Sequence, residues 1–343
     1  MEPKDFLKKI TEGKSLSEDE SKELADLIME GSIPESLVGA ILVGLRMKGE
    51  TPEEIIGFTK SMREHALKLE AKHTLDTAGT GGDGFGTINV STASALAVSL
   101  VYPVAKHGNR AASSKSGSAD FLEAVGYNIQ VPPERAKRLI EQDNFAFLFA
   151  QLYHPSMKNV APVRKALGIR TIFNILGPLT NPAGSERQVM GVFSRSTMKS
   201  LSIAATRLSF EKLLLIHGEP GIDEVSPQGR TYVIEVSKDR IDEYVLDFKE
   251  ITGKEAPISR LIALDPADSV KRVIRGSKGV DKDVEYFLRI NVDVALYAAG
   301  LVKDFKEGYE LSEELIRKLP SKIESVVKGN GDLTKFQALV RSI

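Results

Sequence analysis

Two glycine- and hydroxyl-rich loops constrain this chain most. The first is Asp76-Thr77-Ala78-Gly79-Thr80-Gly81-Gly82-Asp83-Gly84-Phe85-Gly86-Thr87-Ile88-Asn89-Val90-Ser91-Thr92. The second is Lys106-His107-Gly108-Asn109-Arg110-Ala111-Ala112-Ser113-Ser114-Lys115-Ser116-Gly117-Ser118-Ala119-Asp120. Each follows a short apolar run and opens a helical stretch. From about residue 72 onward, such runs alternate with helical patterns. Strands are expected at 75–78, 101–105, 145–149, 188–192, 212–217 and 230–236, and helices at 91–100, 119–125, 133–142 and 198–208. That alternation predicts an α/β fold with a mainly parallel central sheet.

The first 70 residues read differently. Ser17…Glu20, Ser32…Glu35 and Thr51…Glu54 have the spacing of capping boxes, and Pro52 suits a first helical position. Apolar residues recur between them at helical intervals, and Gly13, Gly31 and Gly49 stand where helices should stop. A small all-helical domain is expected over 1–70, completed by the proline-punctuated excursion at about 155–185. The larger α/β domain then takes 71–154 and 186–343, and the crevice between the two is the expected ligand site.

Composition removes several function classes. With no cysteine, disulfides, zinc-thiolate sites, iron–sulfur clusters and a cysteine nucleophile are excluded. A net charge of -1 argues against a general nucleic-acid or membrane-surface binder, as does the absence of tryptophan. The charged N-terminus lacks a signal-peptide core and no apolar run is long enough to span a bilayer, so a cytoplasmic protein is expected.

Glycines let a backbone turn tightly and bring its N–H groups close to an anion, and a helix start adds unpaired donors and a positive dipole end. The first loop therefore reads as a phosphate or pyrophosphate cradle. Gly79-x-Gly81-x-x-Gly84 formally matches the dinucleotide fingerprint, but the next strand ends in Lys106-His107 with no carboxylate to hold a ribose. A Walker A loop is also excluded, because no Gly-Lys-Ser/Thr closes the segment. The second loop adds Lys106, Arg110 and Lys115 near the same sheet edge. Two anionic groups on one ligand would explain both loops.

These loops resemble the anthranilate phosphoribosyltransferases, whose fold is shared with pyrimidine-nucleoside phosphorylases. Gly191-Val192-Phe193, Gly221-Ile222-Asp223-Glu224 and the run from Val160 to Pro182 are similar to that family as well. The resemblance implies transfer of a 5-phosphoribosyl group from phosphoribosyl pyrophosphate to anthranilate, in tryptophan biosynthesis. It also implies Mg2+ (two ions) and a homodimer through the helical domain. A nucleoside phosphorylase, a transferase with another aromatic acceptor, or a non-catalytic nucleic-acid-binding relative are the alternatives.

Carried over residue by residue, the resemblance places the sugar donor on Gly79, Gly82, Asp83, Thr87, Asn89, Val90, Ser91 and Thr92 of the first loop. It continues on Lys106, His107, Gly108, Asn109, Arg110, Ala111, Ala112, Ser113, Ser114 and Ser118 of the second. Asp223, Glu224 and Ser91 are the implied metal ligands, since magnesium takes carboxylates together with ligand phosphates. Arg164 is the expected fork for the acceptor's carboxylate. Gly79 and Asn109 border that acceptor, and His107, His154 and Pro178 line its path. Lys106 and His107 are the candidate catalytic groups, with no obligatory general base, because an aryl amine is neutral at pH 7. Asp120 and Glu123 read as helix-start or surface residues, and the turns at Gly177-Pro178 and Asn181-Pro182 as a hinge.

Overall fold

The computed structural model describes residues 1–71, 73–111, 115–238 and 240–343. Ala112, Ser113 and Ser114, expected on the donor, lie outside the described residues. Four helices open the chain: α1 (Pro3–Thr11), α2 (Glu18–Met29), α3 (Glu35–Lys48) and α4 (Pro52–Glu64). Ser17 and Thr51 form the expected capping boxes with Glu20 and Glu54. Ser32 does not: α3 starts from Pro34, with no side-chain cap. A cap at Ser32 would place Ile33 in the first helical turn, and a residue before proline disfavours that conformation.

The α/β region begins with β1 (Leu75–Gly79), α5 (Val90–Val98), β2 (Val104–Gly108), α6 (Ser118–Ala124), α7 (Pro133–Asp143) and β3 (Phe145–Phe149). Three short helices follow, α8 (Ala150–Tyr153), α9 (Ala161–Leu167) and α10 (Phe173–Leu176). The chain re-enters the sheet with β4 (Arg187–Gly191), α11 (Arg195–Ala205), β5 (Lys212–Gly218), β6 (Arg230–Ser237) and β7 (Arg240–Asp247). It ends in α12 (Phe248–Thr252), α13 (Pro266–Ser277), α14 (Lys282–Ala299), α15 (Phe305–Gly329) and α16 (Leu333–Arg341).

The sheet has seven strands in the order β3-β2-β1-β4-β5-β6-β7. β3 through β5 run parallel, and β6 and β7 add an antiparallel edge. β7 is absent from the sequence expectation because half of its residues are charged and only one is buried, as an edge strand permits. β2 begins at Val104 rather than 101, because the chain turns after α5 and Pro103 contributes only a carbonyl, to Leu75 N–H at 2.9 Å.

Alternation along the central strands divides the core. Leu214 and Ile216 join one hydrophobic cluster, whereas Leu213 and Leu215 join the other. The first cluster contains α5 and α14, which are buried nearly all round. The second contains Leu24, Ile41 and Phe58 of the opening helices together with Val160, Val163, Phe173 and Leu179. α11 joins these helices to the sheet, packing on α4, β5 and β6.

The chain leaves β1 towards β2 and β3, then crosses back so that β4 lies on the other side of β1. The carboxyl ends of β1 and β4 therefore flank a topological switch point, where open α/β sheets bind ligands.

Candidate functional site

Gly79 and Gly191 lie in register at the ends of β1 and β4. Asp223, from the segment after β5, crosses both. A Cβ built on Gly79 would stand 2.7 Å from Asp223 Oδ2, and one on Gly191 would overlap the Asp223 carbonyl. Only glycine permits this approach. Gly81 N–H then donates to Asp223 Oδ2 at 2.8 Å.

Gly81, Gly82, Gly84 and Gly86 all have positive φ, between 67° and 84°. The N–H groups of Gly82, Asp83 and Gly84 meet no acceptor among the described residues, and neither do those of Ser91 and Thr92 in the first turn of α5. Such consecutive, unpartnered donors form an anion-binding concavity. The side chains of Val90 and Thr92 are buried, so only their backbone can face a ligand. The far end of the loop is sewn to residues 261–263: Thr87 forms a bridge with Ile262, and Ile88 N–H donates to Leu261 at 2.9 Å.

Asn89 joins the two loops. Its Nδ2 donates to the Ser116 carbonyl at 3.0 Å, and its Oδ1 accepts from Ser116 Oγ at 2.7 Å and from Ser269 Oγ at 2.8 Å. Its N–H donates to Ser269 Oγ at 2.9 Å and its carbonyl accepts Ala93 N–H at 3.0 Å, so Asn89 fastens α5, the second loop and α13 together. Asp120 is a helix-start residue, as expected: its Oδ2 accepts Gly117 N–H at 2.8 Å in the α6 capping box, and it also accepts Ala111 N–H at 2.9 Å. Arg110 pairs with Glu123 and Asp120, so its charge is already matched. Gly108 is packed against Ser118 Oγ, which donates to the Asn109 carbonyl at 3.3 Å.

Lys106 does not stand out in the crevice as a point charge. It is 2% exposed, and its ammonium donates to the Thr77 carbonyl beneath the strand ends. Burial pushes its pKa down, while Asp76 and Glu224 push it up. Asp76 is itself raised to about 6 by burial, despite Lys106 and a 2.8 Å hydrogen bond from Asn181 Nδ2. Asn181 Nδ2 also donates to the Ala105 carbonyl at 2.8 Å, so the turn expected to hinge is pinned to β1 and β2.

Asp223 and Glu224 are both pushed above the ordinary carboxylate range, Asp223 by burial and then Asp83, Glu224 by burial and then Asp223 and Asp83. This concentration of hard oxygen donors, eased by the Gly81 N–H at Asp223 and by Lys106 at Glu224, has the chemistry of a divalent-cation site. Among the described residues no three His, Asp or Glu side chains converge as a full ligand set. A cation here therefore needs oxygens from its ligand. Ser91 lines the same small cavity as Thr77, Ser94, Glu224 and Asn291, and its carbonyl accepts from Thr77 Oγ1 at 2.9 Å.

The expected acceptor residues fall into two groups. His107 and His154 have ring centroids 5.1 Å apart, and buried Pro178 follows Gly177, whose backbone hydrogen-bonds the His107 ring. Burial pushes both histidines down, His154 to about 4, and the Nε2 of each is buried without a partner. Neutral rings of this kind suit lining an aromatic path better than carrying charge. Asn109 Oδ1 turns back to accept Arg110 N–H at 2.8 Å. Arg164 stands apart on α9, its guanidinium 5.8 Å from the Phe173 ring centroid. Burial lowers its pKa, and no carboxylate among the described residues pairs with it. Such a guanidinium has the donor geometry to pair with a planar carboxylate.

Residues 4–66 match the helical bundle domain of the glycosyl transferase family, and residues 71–318 match that family's a/b domain. The chain is 69% identical over 343 residues to the anthranilate phosphoribosyltransferase of Metallosphaera sedula, covering 100% of both chains. It is 56% identical to that of Saccharolobus islandicus, covering 98% of this chain and 97% of the relative. A crystal structure of the Thermus thermophilus enzyme superimposes with a TM-score of 0.87 at 39% identity, over 98% of this chain and 99% of that one. The Saccharomyces cerevisiae enzyme in complex with PRPP and Mg gives 0.84 at 26% identity, over 99% and 98%. With both domains matched in order along a sheet whose switch point holds the two loops, the chain belongs to the anthranilate phosphoribosyltransferases.

Proposed function

We propose that this crevice transfers the 5-phosphoribosyl group of phosphoribosyl pyrophosphate to the amine of anthranilate. The carrying observation is the cradle of unpartnered N–H groups at Gly82–Gly84 and the α5 start, set against the buried pair Asp223 and Glu224. The C1–oxygen bond to pyrophosphate breaks, a C1–nitrogen bond forms, and the amine proton leaves to water. Negative charge grows on the departing pyrophosphate, and preorganised N–H donors stabilise it, each worth about 3 kcal/mol in comparable sites. The dipole of α5 adds to that field. Magnesium would be held by Asp223, Glu224 and Ser91 with donor oxygens, two ions in all, and supplies charge neutralisation of the diphosphate.

In this reading Arg164 orients the acceptor's carboxylate, and His107, His154 and Pro178 line the aromatic ring's path. Lys106 acts from below, by holding Glu224 and the Thr77 carbonyl in place. The second loop, with Gly108, Asn109 and the backbone beside Ser118, completes the donor site. The reading also includes pairing of two chains through the helical unit, where Met47 is 82% exposed on α3; sedimentation at micromolar concentration tests it.

The decisive experiment mixes the protein with magnesium, phosphoribosyl pyrophosphate and anthranilate and follows anthranilate fluorescence. Loss of fluorescence with stoichiometric pyrophosphate release is expected. Unchanged fluorescence, together with phosphate-dependent cleavage of thymidine or uridine, would replace this reading with a nucleoside phosphorylase.

A further inference from the structure

One contact crosses from the helical excursion to the donor loop. Arg170, between α9 and α10, donates from Nη2 to the Gly82 carbonyl. Its guanidinium lies 3.8 Å from the centroid of the Phe193 ring. Phe193 N–H in turn donates to Thr80 Oγ1 at 3.1 Å, so the stacking partner is itself tied to the same loop. From behind, the Arg170 carbonyl accepts Arg46 Nη1 of α3 at 3.0 Å. A Cβ on Gly82 would come within 2.9 Å of Arg170 Nη2, so only a glycine admits the guanidinium this closely.

We infer that Arg170 is a positioning residue that sets the first glycine loop in its anion-binding form and links acceptor binding to donor affinity. A trans peptide holds its C=O and N–H antiparallel. Fixing the Gly82 carbonyl on Arg170 therefore turns the following N–H, that of Asp83, away from the guanidinium. Gly81, on the other side of Gly82, is fixed by Asp223. Asp223 thus holds the peptide just before the unpartnered N–H run, and Arg170 holds the Gly82–Asp83 peptide within it. Arg170 is also only six positions from Arg164, with one αL turn at Gly168 between α9 and this segment. A carboxylate seated on Arg164 restrains the segment that carries the clamp. Lysine cannot replace the function, because a compact ammonium does not stack on Phe193 while donating.

The inference rests on the transferase reading of the crevice, and its test has an arm that does not. Hydrogen exchange of the unliganded chain is followed on peptides covering residues 79–88 in wild type, Arg170→Ala and Arg170→Lys. Exchange about tenfold faster in both variants, with exchange elsewhere unchanged, is expected for loss of one charged-donor hydrogen bond. Calorimetric titration of phosphoribosyl pyrophosphate with magnesium should show about tenfold weaker binding in Arg170→Ala at an unchanged melting temperature, with kcat lowered as well because the same N–H groups stabilise the departing pyrophosphate, and with the KM for anthranilate little moved. Benzoate, an acceptor analogue without the amine, should tighten donor binding in wild type but not in Arg170→Ala. Unaltered loop exchange would overturn the clamp, and so would an equal decline of kcat, both KM values and melting temperature. Benzoate tightening that survives in Arg170→Ala would overturn the coupling. A wild-type chain that binds no phosphoribosyl pyrophosphate would instead count against the transferase reading.

Discussion

Asp223 Oδ2 accepts the Gly81 N–H at 2.8 Å, joining the loops after β5 and β1 across 142 positions of sequence. The carboxylate implied as a metal ligand is therefore also a structural partner of the donor loop. Replacing Asp223 with Asn keeps an oxygen for Gly81 and removes the charge. The expected outcome is a rise of about tenfold or more in the half-saturating magnesium concentration, corresponding to about 1.4 kcal/mol, with little change in melting temperature. An unaltered magnesium dependence in both Asp223→Asn and Glu224→Gln would remove the metal role.

Arg164 is the mostly buried cation without a carboxylate partner described above. Arg164→Ala should raise the KM for anthranilate by about tenfold to a hundredfold, from about 1.5–3 kcal/mol for a hydrogen bond to a charged group. The KM for the sugar donor should move little. Steady-state kinetics with each substrate varied in turn distinguishes this from a general loss, in which both constants would rise together.

Gly191→Ala places a methyl group onto the Asp223 carbonyl. Overpacking of this kind costs about 1–3 kcal/mol, and here it displaces the segment bearing both carboxylates. A lower melting temperature accompanied by a larger loss in magnesium-dependent activity is expected. A variant with wild-type melting and wild-type kinetics would show that the approach of Asp223 to β4 is looser than described.

Asp293, on α14, is fully buried, and both carboxyl oxygens lack a hydrogen-bond partner. Burial, then Asp304, raise its pKa to about 9, against a smaller opposing effect of Arg289. The folded chain thus holds a proton that the unfolded chain releases near pH 4. Its contribution to stability is complete below that value and is lost as pH rises through about 9. Each pKa unit corresponds to about 1.4 kcal/mol, so even part of this shift is measurable. Asp293→Asn should melt higher than wild type at pH 8, by a margin that widens between pH 5 and pH 9. Parallel melting curves across that range would rule out a buried neutral carboxyl.

Local signals account for what was legible beforehand. Ser17 and Thr51 announced two helix starts because a capping box is complete within four residues. Strands such as 145–149 were readable because a fully buried strand is a continuous apolar run. The same logic explains the failures. Ser32 carried the spacing of a cap, but Pro34 overrode it. β7 mixed four apolar residues with four charged ones, since an edge strand half in water does not need a continuous apolar run.

The chemistry of the site divides in the same way. Glycines at 79–86, hydroxyls, and an Asp-Glu pair are residue types, and residue types declare what a segment is able to bind. Where each side chain spends its charge is decided between segments distant in sequence. Lys106 is withdrawn beneath the sheet by Thr77, Arg110 is matched by Glu123, and Arg170 reaches Gly82 across 88 positions. Asn181 ties its turn to β1 and β2 because Asp76 and Ala105 lie beside it. Short-range conformational preference thus determined the elements and the loops. Burial and long-range hydrogen bonding, which exist only once the sheet has formed, decided which of their groups remain available to a ligand.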